Sequence, residues 1–422
     1  MSKIVAFLFL FTGLALQAQL KQGPWRGVLI LNADKNLELP FTFEVKQVNG
    51  GTQLTIHNAS EQILVNETSF SKDSFYFKMP VFDTEFRTRI QGDTLLTGHW
   101  INHTKKENNS IVFRARYGKQ NRFLFSPEKP RTFYDGKWEV SFSPGTADSS
   151  KAIGLFAHRP VTGVVEGTFR TETGDYRYLE GTEYNNRLYL SCFDGSHAFL
   201  FTAENNGKDI INGVFYSGST WSEPWKARRN EAFELRDAEK LTYLKDPAQV
   251  IDFSFKNSSD QTVSLHDDRY KNKPVIVQIM GSWCPNCMDE TAYLAQLYKK
   301  YTQKGIAGFD TVYEKSNARK IEIIGLAYER TSDPEKAKNN IKRLKDRFGV
   351  EYEILITGLT GKDKASQSLP FLNGIMAFPT TLILDKDHKV VSVYTGFNGP
   401  ATGKAYEAYV AKTEALIRTL IK

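Results

Sequence analysis

Apolar residues follow two regimes along the chain. From residue 22 to about 236 they tend to recur at every second position between short polar turns. Arg187-Leu188-Tyr189-Leu190-Ser191-Cys192 is representative: Leu188, Leu190 and Cys192 fall on one face of an extended chain. A second strand-like stretch, Ser196 to Thr202, follows a turn at Asp194-Gly195. Asn49-Gly50-Gly51, Asp135-Gly136 and Asn206-Gly207 mark further turns. After residue 274 the period changes. Val275 to Met280 and Ile321 to Ala327 are continuous apolar runs that predict buried central strands. Residues 288–303 carry helical spacing through Leu294, Leu297 and Tyr298. Asp333-Pro334-Glu335 opens a helix, with proline at its first position, that runs to about Phe348. Thr380 to Leu384 and Lys389 to Tyr394 read as a hairpin, and residues 403–421 as a closing helix. The predicted order β-α-β-α-β-β-α makes a compact α/β unit behind an all-β region.

The all-β region has the marks of a duplication. Gly23-Pro24-Trp25 is echoed by Gly136-Lys137-Trp138, Phe82-Asp83 by Phe193-Asp194, and Gly98 by Gly213. Phe113-Arg114-Ala115-Arg116 is echoed by Trp225-Lys226-Ala227-Arg228. The offset stays at about 111–115 residues throughout, which favours two units of similar all-β architecture. They read as two small barrels or sandwiches, or as halves of one larger β structure. The expected division is a signal segment at 1–18, a first β unit at 22–126, a second at 134–236, a linker at 237–247 and the α/β unit at 248–422. Residues 126–134, with Pro127 and Pro130, form the join.

A chain of 422 residues with 29 Phe, 19 Tyr and 6 Trp has material for several cores. Its net charge of +7 is scattered without a long basic block, so nucleic acid is not an expected partner. At the N-terminus, Lys3 precedes an apolar run from Ile4 to Leu16, broken by Thr12 and Gly13, with Ala18 as the expected last residue before cleavage. That run is short for a bilayer span of about 20 residues, so the reading is export, to a bacterial periplasm, without a stable membrane span once the signal is removed. Export permits disulfides. There are 3 cysteines, and two of them share one Cys-x-x-Cys, which is too few for a stapled scaffold.

Chemistry concentrates in Gly281-Ser282-Trp283-Cys284-Pro285-Asn286-Cys287, between an expected strand and an expected helix. Cys284 then stands at a helix N-terminus, where unpaired N–H groups and the helix dipole favour a thiolate. Cys287 lies less than a turn further on, close enough to close a disulfide. The motif could instead be half of a zinc site, with His266 or His388 contributing, or a purely structural disulfide. No second cysteine pair accompanies it. Cys192, alone on its strand, reads as a small core residue.

Residues 253–396 resemble the thioredoxin-like domain of the TlpA/ResA group of exported disulfide reductases. The resemblance rests on Trp283 to Cys287, on Glu290 three residues after the second cysteine, and on Ala377-Phe378-Pro379-Thr380-Thr381. It rests also on the lead-in Asp252 to Phe255 and Val263 to Leu265. It implies that Pro379 is cis beside the cysteines and that the Phe378 backbone pairs with a substrate strand. It further implies that Glu290 tunes a thiol or relays a proton, and that Trp283 shields the sulfurs. Many thioredoxins carry a buried acid on the strand before the motif; Gln278 stands there, which shifts weight to Glu290. The implied activity is disulfide reduction in exported proteins, fed by an upstream protein electron donor, with no cofactor: no Gly-rich dinucleotide fingerprint is present. Two polar excursions, 305–319 and 357–374, are candidates for partner selection. Two other functions remain open at this point. The β region could bind a ligand, glycan or protein through aromatics such as Trp221 and Trp225, with the last domain as scaffold. A thiol peroxidase is the other, although Gly-Ser-Trp precedes Cys284 where peroxidases have Pro-x-x-x-Thr-x-x-Cys.

Overall fold

A computed structural model describes residues 20–118, 121–125, 132–160, 162–302 and 320–422. The expected signal segment, most of the proline-bearing join and the 305–319 excursion lie outside the described residues.

The first β unit is a meander of β1 (Gly23–Asn32), β2 (Leu37–Val48), β3 (Gly51–Asn58), β4 (Glu61–Val65), β5 (Glu67–Ser71), β6 (Ser74–Lys78), β7 (Thr84–Gln91), β8 (Leu95–Asn102) and β9 (Ser110–Tyr117). β1 pairs with both β2 and β9, so the sheet runs 4-3-2-1-9-8-7-6-5 and curls until its ends nearly meet. There Thr68 Oγ1 donates to the Thr52 carbonyl at 2.6 Å. The period-2 pleat of these strands turns Phe41, Phe43, Phe75, Phe77, Phe86 and Phe113 inward, and they fill the barrel.

The second unit holds β10 (Gly136–Phe142), β11 (Ser150–His158), β12 (Val164–Thr171), the short β13 (Gly174–Asp175), β14 (Leu179–Tyr184), β15 (Arg187–Phe193), β16 (Ala198–Asn205), β17 (Ile210–Ser217) and β18 (Trp221–Arg229). β11 pairs with β10 and also with β12, closing the ring. The repeat seen in the sequence reappears as geometry. Trp25 Nε1 donates to the Lys21 carbonyl at 2.9 Å, and Trp138 Nε1 to the Tyr134 carbonyl at 2.8 Å. Gly27 faces Ala115 across β1–β9 as Val140 faces Ala227 across β10–β18. The two units are therefore barrels of one architecture, the second closed and the first nearly so. They also share a core: Phe193 stacks on Phe41 at 4.7 Å. Between them the buried Arg122 guanidinium donates to Glu180 at 3.0 Å and to Ser191 Oγ at 3.2 Å.

The mixed α/β unit follows: β19 (Ser254–Asn257), β20 (Thr262–Ser264), β21 (Val275–Met280), α1 (Pro285–Thr302), β22 (Glu322–Ala327), α2 (Pro334–Phe348), β23 (Glu353–Ile356), α3 (Gly361–Ser368), β24 (Thr380–Leu384), β25 (Val390–Thr395) and α4 (Lys404–Leu420). The sheet order is 20-19-23-22-21-24-25, parallel across β21, β22 and β23 and antiparallel at β24. Along β21, Val275, Val277 and Ile279 pack on the face that α3 covers, while Ile276 and Met280 meet the core of α1, α2 and α4. Asp333 caps α2 through the N–H groups of Glu335 and Lys336, and Gly349 ends it in the left-handed region at φ 60°.

α1 begins at Pro285, so Cys284 stands at its N-terminus as the sequence implies. Two readings of this part of the sequence need correction. The expected element order lacked β23, a four-residue strand. The 357–374 excursion contains α3, which buries Ala365 and leads into buried Leu369 and Phe371. The charged approach to this unit lies against it: Thr242 N–H donates to Thr395 Oγ1 at 3.1 Å, and Leu244 bridges to Leu372.

Candidate active site

Cys284 and Cys287 form a disulfide at the start of α1, with Cα atoms 5.2 Å apart. The bulge ahead of the helix is held by hydrogen bonds that leave little freedom. Ser282 donates its N–H and its hydroxyl to the buried Glu329 carboxylate at 2.8 and 2.6 Å, and Asn340 on α2 donates to the same group at 3.1 Å. Trp283 Nε1 donates to the Tyr328 carbonyl at 2.9 Å. The indole stands edge-on to Phe378 at 5.6 Å, and the Arg330 guanidinium lies 3.7 Å above it, a cation–π contact. Cys284 is 6% exposed and Cys287 fully buried. Cys287 N–H donates to Cys284 Sγ at 3.3 Å, one of the helix-terminal groups able to stabilise negative charge on that sulfur. The Phe378–Pro379 peptide is cis, and the Phe378 carbonyl oxygen is 3.5 Å from Cys284 Sγ. All the residues marked in the sequence thus meet here except Glu290, which lies one layer deeper.

Glu290 is not a solvated helix carboxylate. It is fully buried, accepting from Gln278 at 2.9 Å, Thr381 at 2.8 Å and Tyr409 at 3.1 Å. Burial pushes its carboxyl up to about 7, although all three hydrogen bonds pull the other way. Gln278 Nε2 also donates to the Cys287 carbonyl at 3.3 Å, so one amide joins the acid to the motif's backbone. The absent strand carboxylate is replaced by one from the facing helix.

Sequence reasoning missed the contribution of the second barrel. Arg177, just after β13, donates to the Pro285 carbonyl at 3.1 Å and pairs with Asp289 on α1, with Glu61 of the first barrel and with Asp194 at 3.3 Å. Burial pushes Asp289 up; Arg177 opposes this, and Asp175 and Glu61 add to it. Asn286 Nδ2 donates to the Asp175 carbonyl at 3.2 Å, and Gly399 N–H to the Asp175 carboxylate at 2.5 Å. Asp289 was visible beside the motif, but no local signal points to an arginine 112 residues earlier. Cys192 is buried in the second barrel's core, where burial raises its thiol well above its ordinary value. Of the two tryptophans considered as binding aromatics, Trp221 is exposed and Trp225 is buried. Among the described residues no helix is long and apolar enough to cross a membrane.

Residues 245–410 match the Redoxin family model. Thiol-disulfide oxidoreductase ResA of Bacillus anthracis is 27% identical over 176 residues, 42% of this chain and 81% of the relative. Thioredoxin-like protein YneN of Bacillus subtilis is 24% identical over 159 residues, 38% of this chain and 76% of the relative. A solved DsbF homologue from Corynebacterium diphtheriae shares 19% identity, covering 42% of this chain and 93% of its own, with a TM-score of 0.30. The C-terminal unit is thus a thioredoxin/ResA-like redox domain, and its Cys284–Cys287 disulfide supports oxidoreductase activity in general.

Proposed function

We propose that the protein is an exported, periplasmic enzyme that reduces disulfides in other exported proteins by cycling Cys284 and Cys287. The observation that carries this reading is the pair itself, disulfide-bonded at the α1 N-terminus with the less buried sulfur beside the Phe378 backbone. In the reduced enzyme the Cys284 thiolate attacks one sulfur of the substrate disulfide. A Cys284–substrate disulfide forms, and the other substrate sulfur leaves as thiolate. Cys287, deprotonated, then attacks Cys284 Sγ; the enzyme disulfide forms and the first substrate sulfur departs. Two electrons pass to the substrate, whose thiolates take up protons, and a protein donor restores the dithiol. Phe378 is the backbone partner of the bound segment, with Pro379 shaping that edge and Trp283 screening the sulfurs. Glu290, poised near neutrality, is the group for Cys287's proton. The likeness to ResA proteins supports the reaction class, and the N-terminal apolar run after Lys3 supports the exported setting.

The test is the reduction potential of the pair in a dithiothreitol or glutathione series, read by alkylation and mass spectrometry. A value near that of thioredoxin, about −270 mV, supports a reductase. A value near that of DsbA, about −120 mV, reverses the direction of electron flow. Absence of a reversible two-electron transition removes the redox reading and leaves the β region as a binding module on an inert scaffold.

A further inference from the structure

Both residues between the cysteines are held by the second barrel. The Pro285 carbonyl accepts from the Arg177 guanidinium at 3.1 Å, and the Asn286 side chain donates to the Asp175 carbonyl at 3.2 Å. The segment Thr173 to Arg177, which brackets β13, supplies both contacts and contributes one wall of a half-open pocket over Cys284. It is fixed to the loop after β25 as well. Gly399 N–H donates to the Asp175 carboxylate at 2.5 Å, and a Cβ at Gly396 would lie 2.6 Å from the Thr173 carbonyl carbon. Arg177 itself holds a left-handed backbone, φ 56°, which residues with a side chain seldom adopt. Its N–H donates to the same Asp175 carboxylate at 2.6 Å, so one acid sets both the Arg177 backbone and the facing loop.

Charges of both signs converge on that contact. The Arg177 guanidinium is buried, and it meets Asp289 on α1, two residues beyond Cys287. Out of water, charges beside the helix start act on a sulfur there with little screening. A cation favours the Cys284 thiolate and a carboxylate disfavours it. The disulfide carries no charge, so these effects fall on the dithiol alone. Arg177 therefore stabilises the reduced pair and Asp289 destabilises it, and the balance between them enters the redox equilibrium directly.

We infer that Arg177 of the second barrel is a positioning residue of the redox centre, and that it raises the reduction potential of the Cys284–Cys287 pair by supporting the Cys284 thiolate. This rests on the redox reading above and deepens it, because it makes a barrel segment part of the centre and not a neighbour of it. The equilibrium concerned balances simply. The enzyme disulfide and dithiothreitol give the enzyme dithiol and cyclic oxidised dithiothreitol. Two electrons and two protons pass to the enzyme, and the Cys284 proton is then released to the extent that the thiol ionises.

The full-length chain and its variants are equilibrated in a dithiothreitol series at pH 8, quenched by alkylation and read by mass spectrometry. The pH dependence of Cys284 alkylation in the reduced chains is the second readout. Arg177→Met should move the exchange constant toward the disulfide by roughly three- to tenfold, tenfold being about 30 mV for two electrons. It should also move the rise of Cys284 alkylation to higher pH. Asp289→Asn should shift both readouts the opposite way, and Arg177→Lys, which keeps the cation, should stay close to the native chain. Opposite signs are what charge produces; a barrel that merely came loose would shift both variants in one direction. Shifts of the same sign, or an unchanged potential in folded variants, overturn the inference while the native transition leaves the redox reading standing. Absence of a reversible transition in the native chain removes the redox reading and this inference with it. Should Arg177→Met not fold, Arg177→Met combined with Asp289→Asn, which also removes the carboxylate left without its cation, is compared with Asp289→Asn alone. Its potential must lie below that of the single variant, and equality of the two overturns the inference.

Discussion

Arg177 donates from its guanidinium to the carbonyl oxygen of Pro285 at 3.1 Å, so a residue of the second barrel holds the peptide between the two cysteines. The same side chain meets carboxylates from three places: Glu61 in the first barrel, Asp194 in the second and Asp289 on α1. One buried cation therefore ties both barrels to the redox motif. Its own charge is stabilised by Asp289, then Glu61 and Asp194, against the cost of burial.

Removing that cation takes the ion pair from buried Asp289, while Asp194 keeps His197 and Glu61 keeps Asn58. Arg177→Met should cost about 3–5 kcal/mol at pH 8, the usual penalty for leaving a buried charge unpaired. The loss should shrink on acidification. Without Arg177 the Asp289 carboxyl, already raised by burial, rises further above its unfolded value, and a raised acid adds stability that is present at low pH and lost as pH rises. Urea midpoints of the native and variant chains at pH 5.5 and 8 check this. A deficit that does not grow with pH would mean that Asp289 finds another partner.

Gly174 approaches the motif from the same side. Its φ of +142° already suits glycine, and a Cβ added there would lie 1.9 Å from Asn286 Nδ2. Gly174→Ala must push Asn286 away from the Asp175 carbonyl, at about 1–3 kcal/mol for overpacking. The expected outcome is several-fold faster alkylation of Cys284 in the reduced chain as the wall retreats. Gly207→Ala is the control. It too has positive φ, +85°, but its Cβ would meet nothing within 4 Å. Matching alkylation rates in the two variants would assign the effect to backbone strain alone.

Much of this was legible from local pattern. Alternation at stretches such as Arg187 to Cys192 marked the first region as strands, and the constant offset of Gly-x-Trp and Phe-Asp pairs anticipated two like units. Cys284 to Cys287 between an apolar run and a helical one located the chemistry. Asp333-Pro334 marked the start of α2 because capping is a local interaction. What stayed hidden was nonlocal. α3 has one buried residue, Ala365, in a polar sequence and leaves no periodic trace. Gln278 read as the loss of an acid with weight shifted to Glu290, but nothing in β21 reveals that the two side chains hydrogen-bond directly. Arg177 sits in the short irregular stretch between β13 and β14, and its role exists only once three separate chain segments have packed around it.

Cys192 should be chemically silent in the folded chain. It is free and fully buried among Leu190, Phe201 and Ala203, and burial, followed by the nearby Asp194, raises its thiol well above the ordinary value. With the disulfide reduced, iodoacetamide at pH 8 should modify Cys284 while Cys192 remains unlabelled, and urea should expose all three cysteines. Labelling of Cys192 at a rate like that of Cys284 under native conditions would show that the second barrel opens on its own.

Glu290 makes the α/β unit's stability depend on pH across the neutral range. Its ordinary value is 4.5 and its folded value about 7. Between those limits the folded chain holds a proton that the unfolded chain has released, so stability is full below about 4.5 and falls as pH rises through 7. The displacement corresponds to roughly 3 kcal/mol. Glu290→Gln keeps the shape and can still bond Gln278, Thr381 and Tyr409, but it cannot titrate. The variant should match the native chain at pH 4.5 to 5 and exceed it at pH 8, by an amount approaching that figure. Other titrating groups, Asp289 among them, are common to both chains and cancel in the difference. Denaturant unfolding followed by tryptophan emission, with both chains held oxidised, supplies the stability comparison. In the reduced chains, the alkylation rate of a Cys284→Ser variant, which leaves Cys287 as the reporting thiol of the pair, gives the second readout. If Glu290 handles that thiol's proton, the step in the rate near pH 7 should vanish with Glu290→Gln. A stability difference without any change in that step would reduce Glu290 to a packing residue.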